Sequence, residues 1–489
     1  MQHRSYFKIP DQFNLNQLKI PYKIHPTRKI KDIRTYYDTF DRRLLTSGMQ
    51  LFKFNREIIL LNKENQVRGK LSTGEVPVFA KDFPLGNLRD NLEKIIEVRA
   101  LLDLVKIPCV QQTILFFNEN DKVILKLILE KFTYNDHLSE FFATVSGIKG
   151  YSKPVQFLKK RLISNKYAET CYPTLQKILH QTGCPENIYK GKLNFNFNPQ
   201  MPVKKIVKEI LKILTEQMEA NELGVVQDID TEFLHDYRVA VRRIRSAIVI
   251  FESILPLDLV NWAKEAFSNI NRITNQLRDL DVFLHKEQFY QSQIQVEYHT
   301  YLKNFFRHQR KHRLNEYKKV SDYLNSDEYK TVKKNWIGRV SCIQPLSPFD
   351  SLSEDKGKWI ENYLKRVKKI STRITIKSSD EDLHKLRIAC KKLRYVMEFL
   401  ESLCPSTVVK TMLKELKRLQ DQLGRYHDIE IQQKQLQEFS KTVDRETQAV
   451  IIDLIRLIGV RKRKERVCCL RYIQRFRSKR DPRFGERKV

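Results

Sequence analysis

The sequence has few cysteines and no long apolar run. Its eight cysteines include no CxxC pair, and Cys468 and Cys469 are adjacent, a spacing that argues against a disulfide scaffold and against a zinc site. No stretch reaches the roughly 18 uncharged apolar residues of a transmembrane helix, and Met1–Pro10 lacks the apolar core of a signal peptide. We therefore expect a soluble, cytoplasmic protein with reduced thiols, no metal and no cofactor.

Acidic residues are scarce relative to basic ones. The 489 residues include 58 Asp and Glu against 90 Lys and Arg, which gives a formal net charge of +32. The excess of positive charge runs through the first 200 residues as well as the remainder, so it is not confined to one tail. This balance predicts a polyanionic partner such as nucleic acid, a phosphate polymer or an anionic membrane, and does not choose among them.

Residues 1–195 show short runs rich in β-branched and aromatic residues. The predicted strands are Lys31–Tyr37, Gln50–Phe54, Glu57–Leu61, Val76–Phe79, Gln111–Phe117 and Lys122–Leu129. Asn62–Gln66 and Asn118–Asp121 have the composition of turns between paired strands, and Asp90–Leu104 has helical spacing. The pattern is typical of an α+β domain with antiparallel strands.

The pattern becomes helical after the proline-bounded segment Asn194–Pro202. The predicted helices are Val203–Ala220, Thr231–Leu255, Leu257–Tyr290, Val296–Leu324, Trp359–Ser371, Asp380–Leu403, Thr407–Phe439 and Thr447–Phe476. Thr331–Ile337 and Ser341–Ser353 are predicted to form a loose junction, and Ser478–Val489 a mobile tail. Residues 201–480 should therefore form an all-α domain of two four-helix bundles, at about 201–327 and 355–480.

One helix with a basic stripe occurs twice in this half. His235 and His384 are 149 residues apart, as are Pro256 and Pro405, and such self-similarity indicates a duplicated unit. At about 100° per residue, the charges form a stripe beside an apolar face. The stripe positions are His235, Arg238, Arg242 and Arg245 in the first copy and His384, Arg387, Lys391 and Arg394 in the second. Two matched rows of like charge predict a polyanion that follows them.

The same offset aligns two acidic residues on the next predicted helix, Asp279 and Asp428. A carboxylate on a neighbouring helix can orient an arginine by paired hydrogen bonds. We interpret Asp279 and Asp428 as orienting residues, and the alternative is a solvated helix face.

Simpler interpretations exist for the stripe as well. A single basic stripe is most often a solvent-exposed face, but the retention of histidine and positive charge in both copies favours a ligand. His235 and His384 could gain charge beside a polyanion, donate hydrogen bonds, or pack in the core.

The N-terminal part resembles the start of a CYTH domain. The matching residues are Tyr36-Tyr37-Asp38-Thr39-Phe40-Asp41, followed by Leu44, Gly48 and Leu51. The resemblance implies an antiparallel β tunnel that binds triphosphates and often hydrolyses them with a divalent metal. That family holds the metal with the carboxylates of a Glu-x-Glu-x-Lys strand. Residues 1–200 contain no Glu-x-Glu, and Lys122 and Lys126 stand where acidic residues are expected. The resemblance thus implies a degenerate tunnel, either an anion binder or a structural module.

The two His-x-x-Arg helices, with Arg278-Asp279-Leu280-Asp281-Val282, resemble the CHAD family over about residues 201–480. The resemblance implies two helical bundles around a basic channel that binds inorganic polyphosphate. Carried over by position, the stripe residues would line that channel, with Arg243 and Lys392 added to the binding set. The copies differ where Lys391 and Lys392 replace Arg242 and Arg243.

We therefore predict a non-catalytic polyphosphate-binding protein of cytoplasmic location, with association with polyphosphate granules as one option. Two rival functions remain: a metal-dependent triphosphatase in residues 1–195, and an RNA- or DNA-binding module. Bases need aromatic stacking platforms, and Tyr395 is the only ring bordering either stripe, which disfavours nucleic acid. No membrane partner is expected, and the oligomeric state is left open.

Overall fold

The computed structural model describes residues 4–184, 189, 195–198, 201–344, 356–403, 406–441 and 443–478. The chain divides into two compact units, Met1–Lys190 and Gly191–Val489. Part of the predicted boundary segment, most of the predicted junction with Pro345 and Pro348, Pro405, and the predicted tail after Ser478 lie outside the described residues.

The first unit is an antiparallel sheet with short helices. The strands are β1 (Arg4–Ile9), β2 (Lys23–Pro26), β3 (Ile30–Asp38), β4 (Gln50–Phe54), β5 (Glu57–Leu61), β6 (Val67–Ser72), β7 (Leu102–Phe117), β8 (Val123–Asn135), β9 (Leu138–Gly147) and β10 (Glu169–Thr170). The helices are α1 (Arg43–Thr46), α2 (Asn87–Ile96), α3 (Ser152–Ser164) and α4 (Leu175–Gln181). The strand order is β10-β1-β9-β8-β7-β3-β4-β5-β6, and β2 pairs with β7.

Alternation along the strands gives this sheet two apolar faces, because successive side chains of a strand point to opposite sides. Phe52 of β4 packs with Tyr36 and Phe132 on one face. Its neighbour Leu51 packs on the other face, in the same cluster as Leu92 of α2. The antiparallel sheet domain predicted for the N-terminal part is therefore confirmed.

The segment from Tyr36 to Asp41 fixes the turn from β3 into α1. Asp38 is fully buried, and its carboxylate accepts hydrogen bonds from the backbone N–H groups of Thr39 at 2.7 Å, Leu44 at 2.9 Å and Leu45 at 3.0 Å. Burial raises the pKa of Asp38 to about 6 despite these bonds. The motif that carries the CYTH resemblance thus has a structural role at this turn.

Two element predictions in this unit need correction. Val76–Phe79 is not a strand. The Val78 carbonyl of this segment accepts a hydrogen bond from the Leu101 N–H at 2.8 Å. The predicted helix Asp90–Leu104 is wrong at its C-terminal end, because α2 ends at Ile96. Glu97 then takes a φ of +53°, which no right-handed helix can continue.

In the second unit, every helix or strand that the described residues form is a helix. Its helices are α5 (Val203–Val226), α6 (Thr231–Ile250), α7 (Leu257–Leu284), α8 (Glu287–Gln291), α9 (His299–Asn325), α10 (Asp327–Ser341), α11 (Lys356–Arg373), α12 (Asp380–Leu400), α13 (Ser406–Phe439) and α14 (Arg445–Arg477). We call α6 and α12 the signature helices, because they carry the two basic stripes. Each is followed by a 3₁₀ turn, Glu252–Ile254 after α6 and Glu401–Leu403 after α12.

The all-helical prediction for this unit is confirmed, but two local predictions are wrong. The predicted helix Leu257–Tyr290 is two helices, since α7 ends at Leu284 and α8 begins at Glu287. The predicted loose segment Thr331–Ile337 lies inside α10. There the Trp336 ring is buried, and its Nε1–H donates to the Thr215 hydroxyl at 2.7 Å. Tertiary packing stabilises this turn of helix although its sequence is mostly polar.

The helices of both sequence copies contribute to one apolar core. Phe283 and Leu302 from the first copy pack in the same cluster as Ile429 and Ile451 from the second. The signature helices also contact each other directly. Among the described residues, no helix combines the length and apolar character needed to cross a membrane.

Candidate functional site

Each signature helix begins with a side-chain cap. The Asp230 carboxylate accepts hydrogen bonds from the first-turn N–H groups of α6. Ser379 and Asp382 form a reciprocal capping box at the start of α12. Such caps satisfy the unpaired N–H groups of the first turn, and they fix where the helix starts. The basic stripes therefore have a defined register.

The stripes meet where the signature helices contact. Arg242 of α6 donates its Nε–H to the Tyr395 hydroxyl of α12 at 3.0 Å. The next residue, Arg243, forms an ion pair with Glu398 of α12 at 3.3 Å. Glu398 also accepts from Arg394 Nε at 2.5 Å. These contacts bring the two predicted rows of cations together, and they tie Arg243 and Arg394 to one shared carboxylate.

Four cations at this contact interact electrostatically, and we call Arg238, Arg242, Arg387 and Lys391 the cationic cluster. Burial lowers the pKa of Lys391 to about 6, and repulsion from Arg242 and Arg387 adds to the effect. Burial lowers the pKa of Arg238 to about 10. Attraction by Asp279 opposes this fall in pKa, and repulsion from Arg242 adds to it. Arg242 therefore repels cations on both signature helices. Unpaired burial of like charges disfavours their charged forms.

Arg238 is held on the side facing α7. Its Nη1 donates to the Asn271 carbonyl at 2.9 Å and to the Thr274 hydroxyl at 2.5 Å. Its Nη2 donates to the Asn275 amide oxygen at 2.8 Å. The Asn275 amide nitrogen in turn donates to the Asp279 carboxylate at 2.8 Å. The contact that orients Arg238 thus reaches Asp279 through Asn275.

Arg387, the register counterpart of Arg238, has no equivalent cradle. The positions that match Thr274 and Asn275 hold Leu423 and Gly424, which have no polar side chain to offer. Among the described residues, nothing accepts a hydrogen bond from the buried Nε–H of Arg387. A buried donor without an acceptor costs free energy that a bound anion would offset. The Nε–H of Arg387 is therefore a buried donor that could still accept a partner from outside the described residues.

Asp428 acts on this second copy through its charge. Burial lowers the pKa of Arg387, and attraction by Asp428 is the largest opposing influence. Asp428 also opposes the fall in the pKa of Lys391. Burial raises the pKa of Asp279, and the charge of Asp428 adds to that rise, so the two carboxylates lie within electrostatic reach of each other.

The remaining predicted residues, His235, Arg245 and Lys392, also lie on the signature helices. Arg245 and Lys392 are close enough to repel each other, and Lys392 lines a separate cleft with Arg366 between α11 and α12. Burial lowers the pKa of both Arg245 and Lys392. His235 is half-buried on α6.

His384 packs against a histidine that sequence reasoning missed. The ring centroids of His384 and His427 are 4.5 Å apart. Burial lowers the pKa of His427 to about 4, and repulsion from Arg387 and His384 contributes. Burial also lowers the pKa of His384, so the environment of both rings favours their neutral forms. The signal for His427 was present, because the 149-residue offset aligns it with Arg278.

Lys286 was also missed, and no repeat signal marks it. Burial lowers its pKa, with Asp428 opposing and Arg461 reinforcing. Its register counterpart is the uncharged Gln435, so the comparison of the two copies gives no hint of it. Within the described part of the chain, no three His, Cys, Asp or Glu side chains are grouped so as to hold a metal ion.

Residues 209–437 match the family model of the CHAD domain. The chain therefore contains a CHAD domain, and the matched residues include both signature helices, Asp279 and Asp428.

The solved structures that are similar to the chain include the following two. The crystal structure of the CHAD domain from the plant Ricinus communis is 21% identical, with a TM-score of 0.49 over 58% of this chain and 95% of that one. PptA from Streptomyces chartreusis is 13% identical, with a TM-score of 0.45 over 57% of this chain and 100% of that one. No curated protein matches the sequence.

Proposed function

We propose that the CHAD domain of this chain binds inorganic polyphosphate at the cationic cluster, without catalysing a reaction. The observation that carries the proposal is the burial of Lys391 among Arg242, Arg387 and Arg394, which lowers its pKa to about 6. Cations that are packed together without enough counter-charge disfavour the free state. A polyanion beside them would supply the missing charge.

The donors of the cluster suit a chain of phosphates. Phosphate oxygens point to all sides of the polymer, so forked Arg and point-charge Lys can both bind them. The free Nε–H of Arg387 offers one donor that needs an acceptor. The CHAD family to which the domain belongs is associated with polyphosphate binding in general, which supports the same ligand.

The structure offers little support for binding nucleic acid through the same residues. Tyr395, which borders the second stripe, is 6% exposed and stacks on Phe399 with ring centroids 6.3 Å apart. Its hydroxyl is taken by Arg242. A base needs an accessible aromatic face for stacking, and this ring presents none. Polyphosphate needs no such face, so it fits these residues better.

Charge reversal tests the proposal. We expect the double variant Arg242→Glu/Lys391→Glu to lose polyphosphate binding while its circular dichroism spectrum stays that of the parent. A matched control reverses two exposed lysines, Lys212→Glu/Lys318→Glu, which changes the net charge by the same amount. Binding by the first variant at moderate salt, or equal loss in both, would show that the cluster is not the site.

Three further measurements separate the rival functions. Polyphosphate affinity should fall steeply with added salt, because binding releases counterions. Single-stranded RNA at equal ionic strength should compete poorly, and preference for RNA would favour a nucleic-acid-binding module. Phosphate release from triphosphates or polyphosphate with Mg²⁺ or Mn²⁺ should not rise above that of a protein-free control. Release that depends on the protein would identify an enzyme.

A further inference from the structure

The sheet of the first unit encloses a cavity of about 380 Å³. Its lining comes from eight strands, including β1 near one end of the strand order and β6 at the other. On β8 the lining residues Lys126, Ile128 and Glu130 alternate along the strand, as expected when one face of a strand points inward. The sheet is therefore curved around a shared interior, and the volume falls in the range of small-molecule sites, roughly 300–1,000 Å³.

Two ion pairs are built into the wall of this cavity. Arg34 Nη2 lies 2.6 Å from Glu130 Oε1, and the two side chains are 2% and 6% exposed. Lys70 Nζ lies 2.6 Å from Glu57 Oε1, and these two side chains are 50% and 38% exposed. The only carboxylates of the lining are thus already paired with cations of the same wall.

Two cations of the lining remain for a ligand. Four cationic and two anionic side chains line the cavity, which gives it a net charge of +2. Arg4 and Lys126 supply this excess, because neither has a carboxylate partner among the described residues. Lys126 is exposed to the interior from the middle of the wall. The excess charge of the lining would therefore balance that of a bound dianion.

Part of the cavity lining is apolar, and aromatic rings surround the Arg34 guanidinium there. The Arg34 guanidinium lies 4.6 Å from the ring centre of Phe52 and 4.8 Å from that of Phe132, and it donates to the Tyr172 hydroxyl at 2.5 Å. Thr144 also lines the cavity, is 3% exposed, and has a hydroxyl without a hydrogen-bond partner among the described residues. Such a mixture of apolar wall and few polar groups is typical of sites for small organic ligands.

We propose that this cavity binds a small organic phosphate monoester without a metal ion. A phosphate monoester carries a charge of about −1.5 to −2 at pH 7, which matches the excess of Arg4 and Lys126. Its organic part would lie against the apolar wall, beside residues such as Ile59 and Ile128. This ligand differs from the metal-bound triphosphate of a CYTH tunnel, because both lining carboxylates are engaged in ion pairs. The charges of Arg4 and Lys126, which no lining carboxylate balances, match only one phosphate group.

The test measures binding of phenyl phosphate to the full chain by titration calorimetry in EDTA. To exclude the cationic cluster as the binding site, the protein carries Arg242→Glu/Lys391→Glu. We expect saturable binding with one ligand per chain, and a loss of affinity of at least about fivefold on Lys126→Gln, which removes one charge-assisted contact. Lys131→Gln is the matched control on the same strand. Lys131 alternates with the lining residues of β8 and is not among them. It forms an ion pair with Asp11 at 2.9 Å, so its replacement should leave the affinity for phenyl phosphate unchanged.

Each alternative result overturns the proposal. Absence of saturable binding at millimolar phenyl phosphate would show that the cavity takes no such ligand. Equal losses on Lys126→Gln and Lys131→Gln would place the binding elsewhere, and binding that appears only with Mg²⁺ would contradict a metal-free site. Lys126→Gln in the otherwise unchanged chain should keep its polyphosphate affinity, which confirms that this variant folds and that the two sites are independent.

Discussion

Arg242 on one signature helix is joined to Tyr395 on the other by a hydrogen bond of 3.0 Å. The register counterpart of Tyr395 in the first copy is Ser246, whose hydroxyl instead bonds to the carbonyl of its own helix at Arg242, 2.9 Å away. The bond between the helices therefore occurs in one direction only. It fixes the Arg242 side chain at the centre of the cationic cluster, where its charge acts on residues of both helices.

Tyr395→Phe should remove the hydrogen bond that holds Arg242 without creating a cavity in the core. The ring stays and the hydroxyl is lost, so we expect a loss of stability of about 1 kcal/mol and a polyphosphate affinity reduced several-fold, since Arg242 is no longer held. Tyr317→Phe is the matched control, because its hydroxyl donates to the Val226 carbonyl at 2.7 Å on another helix pair. Urea unfolding should show a loss for both variants, and equilibrium binding a loss for Tyr395→Phe alone. Unchanged affinity in Tyr395→Phe would show that the orientation of Arg242 is unimportant.

Gly424→Asn should reduce binding by building the cradle that Arg387 lacks. The new amide would stand where Asn275 stands in the first copy, between Asp428 and Arg387, and would engage the guanidinium that we expect to meet phosphate. A Cβ at Gly424 meets no atom within 4 Å, so the site has room for a side chain. We expect a several-fold weaker affinity for polyphosphate, without loss of stability.

Gly424→Ala provides the control for this variant. Alanine in a helix interior is more favourable than glycine by about 0.5–1 kcal/mol, and it adds no hydrogen-bonding group. Thermal unfolding should therefore show a stabilised protein with parental polyphosphate affinity. If the alanine variant weakened binding as much as the asparagine variant, the effect would come from the added bulk and not from the amide.

Lys391→Met should stabilise the free protein while weakening its binding. The pKa of Lys391 is lowered to about 6 in the folded protein against about 10.4 for an unperturbed lysine. Between these values the unfolded chain binds more protons, so the native state loses stability as the pH falls from about 10 towards 6. We expect the free energy of unfolding of the variant to exceed that of the parent by about 1 kcal/mol or more at pH 7. This difference should shrink as the pH rises towards 10.

Urea unfolding of Lys391→Met and of the parent at pH 7, 8.5 and 10 measures this difference. Methionine has a similar length and no charge, so the replacement leaves little cavity. Lys212→Met, at an exposed position of α5, should show no such trend with pH. A stability difference that is the same at all three pH values would contradict the burial of Lys391 among cations.

Much of the helical unit could be predicted from the sequence, and the errors have definite causes. The spacing of apolar residues located both signature helices, because their period is strong and each is preceded by a capping residue. The same approach failed at Thr331–Ile337, where the packing of Trp336 against Thr215 stabilises a polar stretch of helix. In the sheet unit, Val76–Phe79 had strand composition, but no strand within residues 4–184 pairs with it.

The candidate site shows the same division. The offset of 149 residues singled out His384, Arg387 and Lys391, since side-chain identity at matched positions is visible in the sequence. It could not indicate that Asp279 reaches Arg238 through Asn275, or that Arg243 and Arg394 share Glu398. Those partners come from other turns and other helices, whose distances are set only when the helices pack.

The sequence by itself determined the repeated stripe and the positive charge, because helix geometry fixes which residues share a face. The tertiary structure alone decided which cations are neutralised and which remain available. Ion pairing and desolvation depend on neighbours brought in by folding, and these set the charge state of a buried lysine. The pKa of Lys391 and the free Nε–H of Arg387 are therefore properties of the packed helices and not of either helix alone.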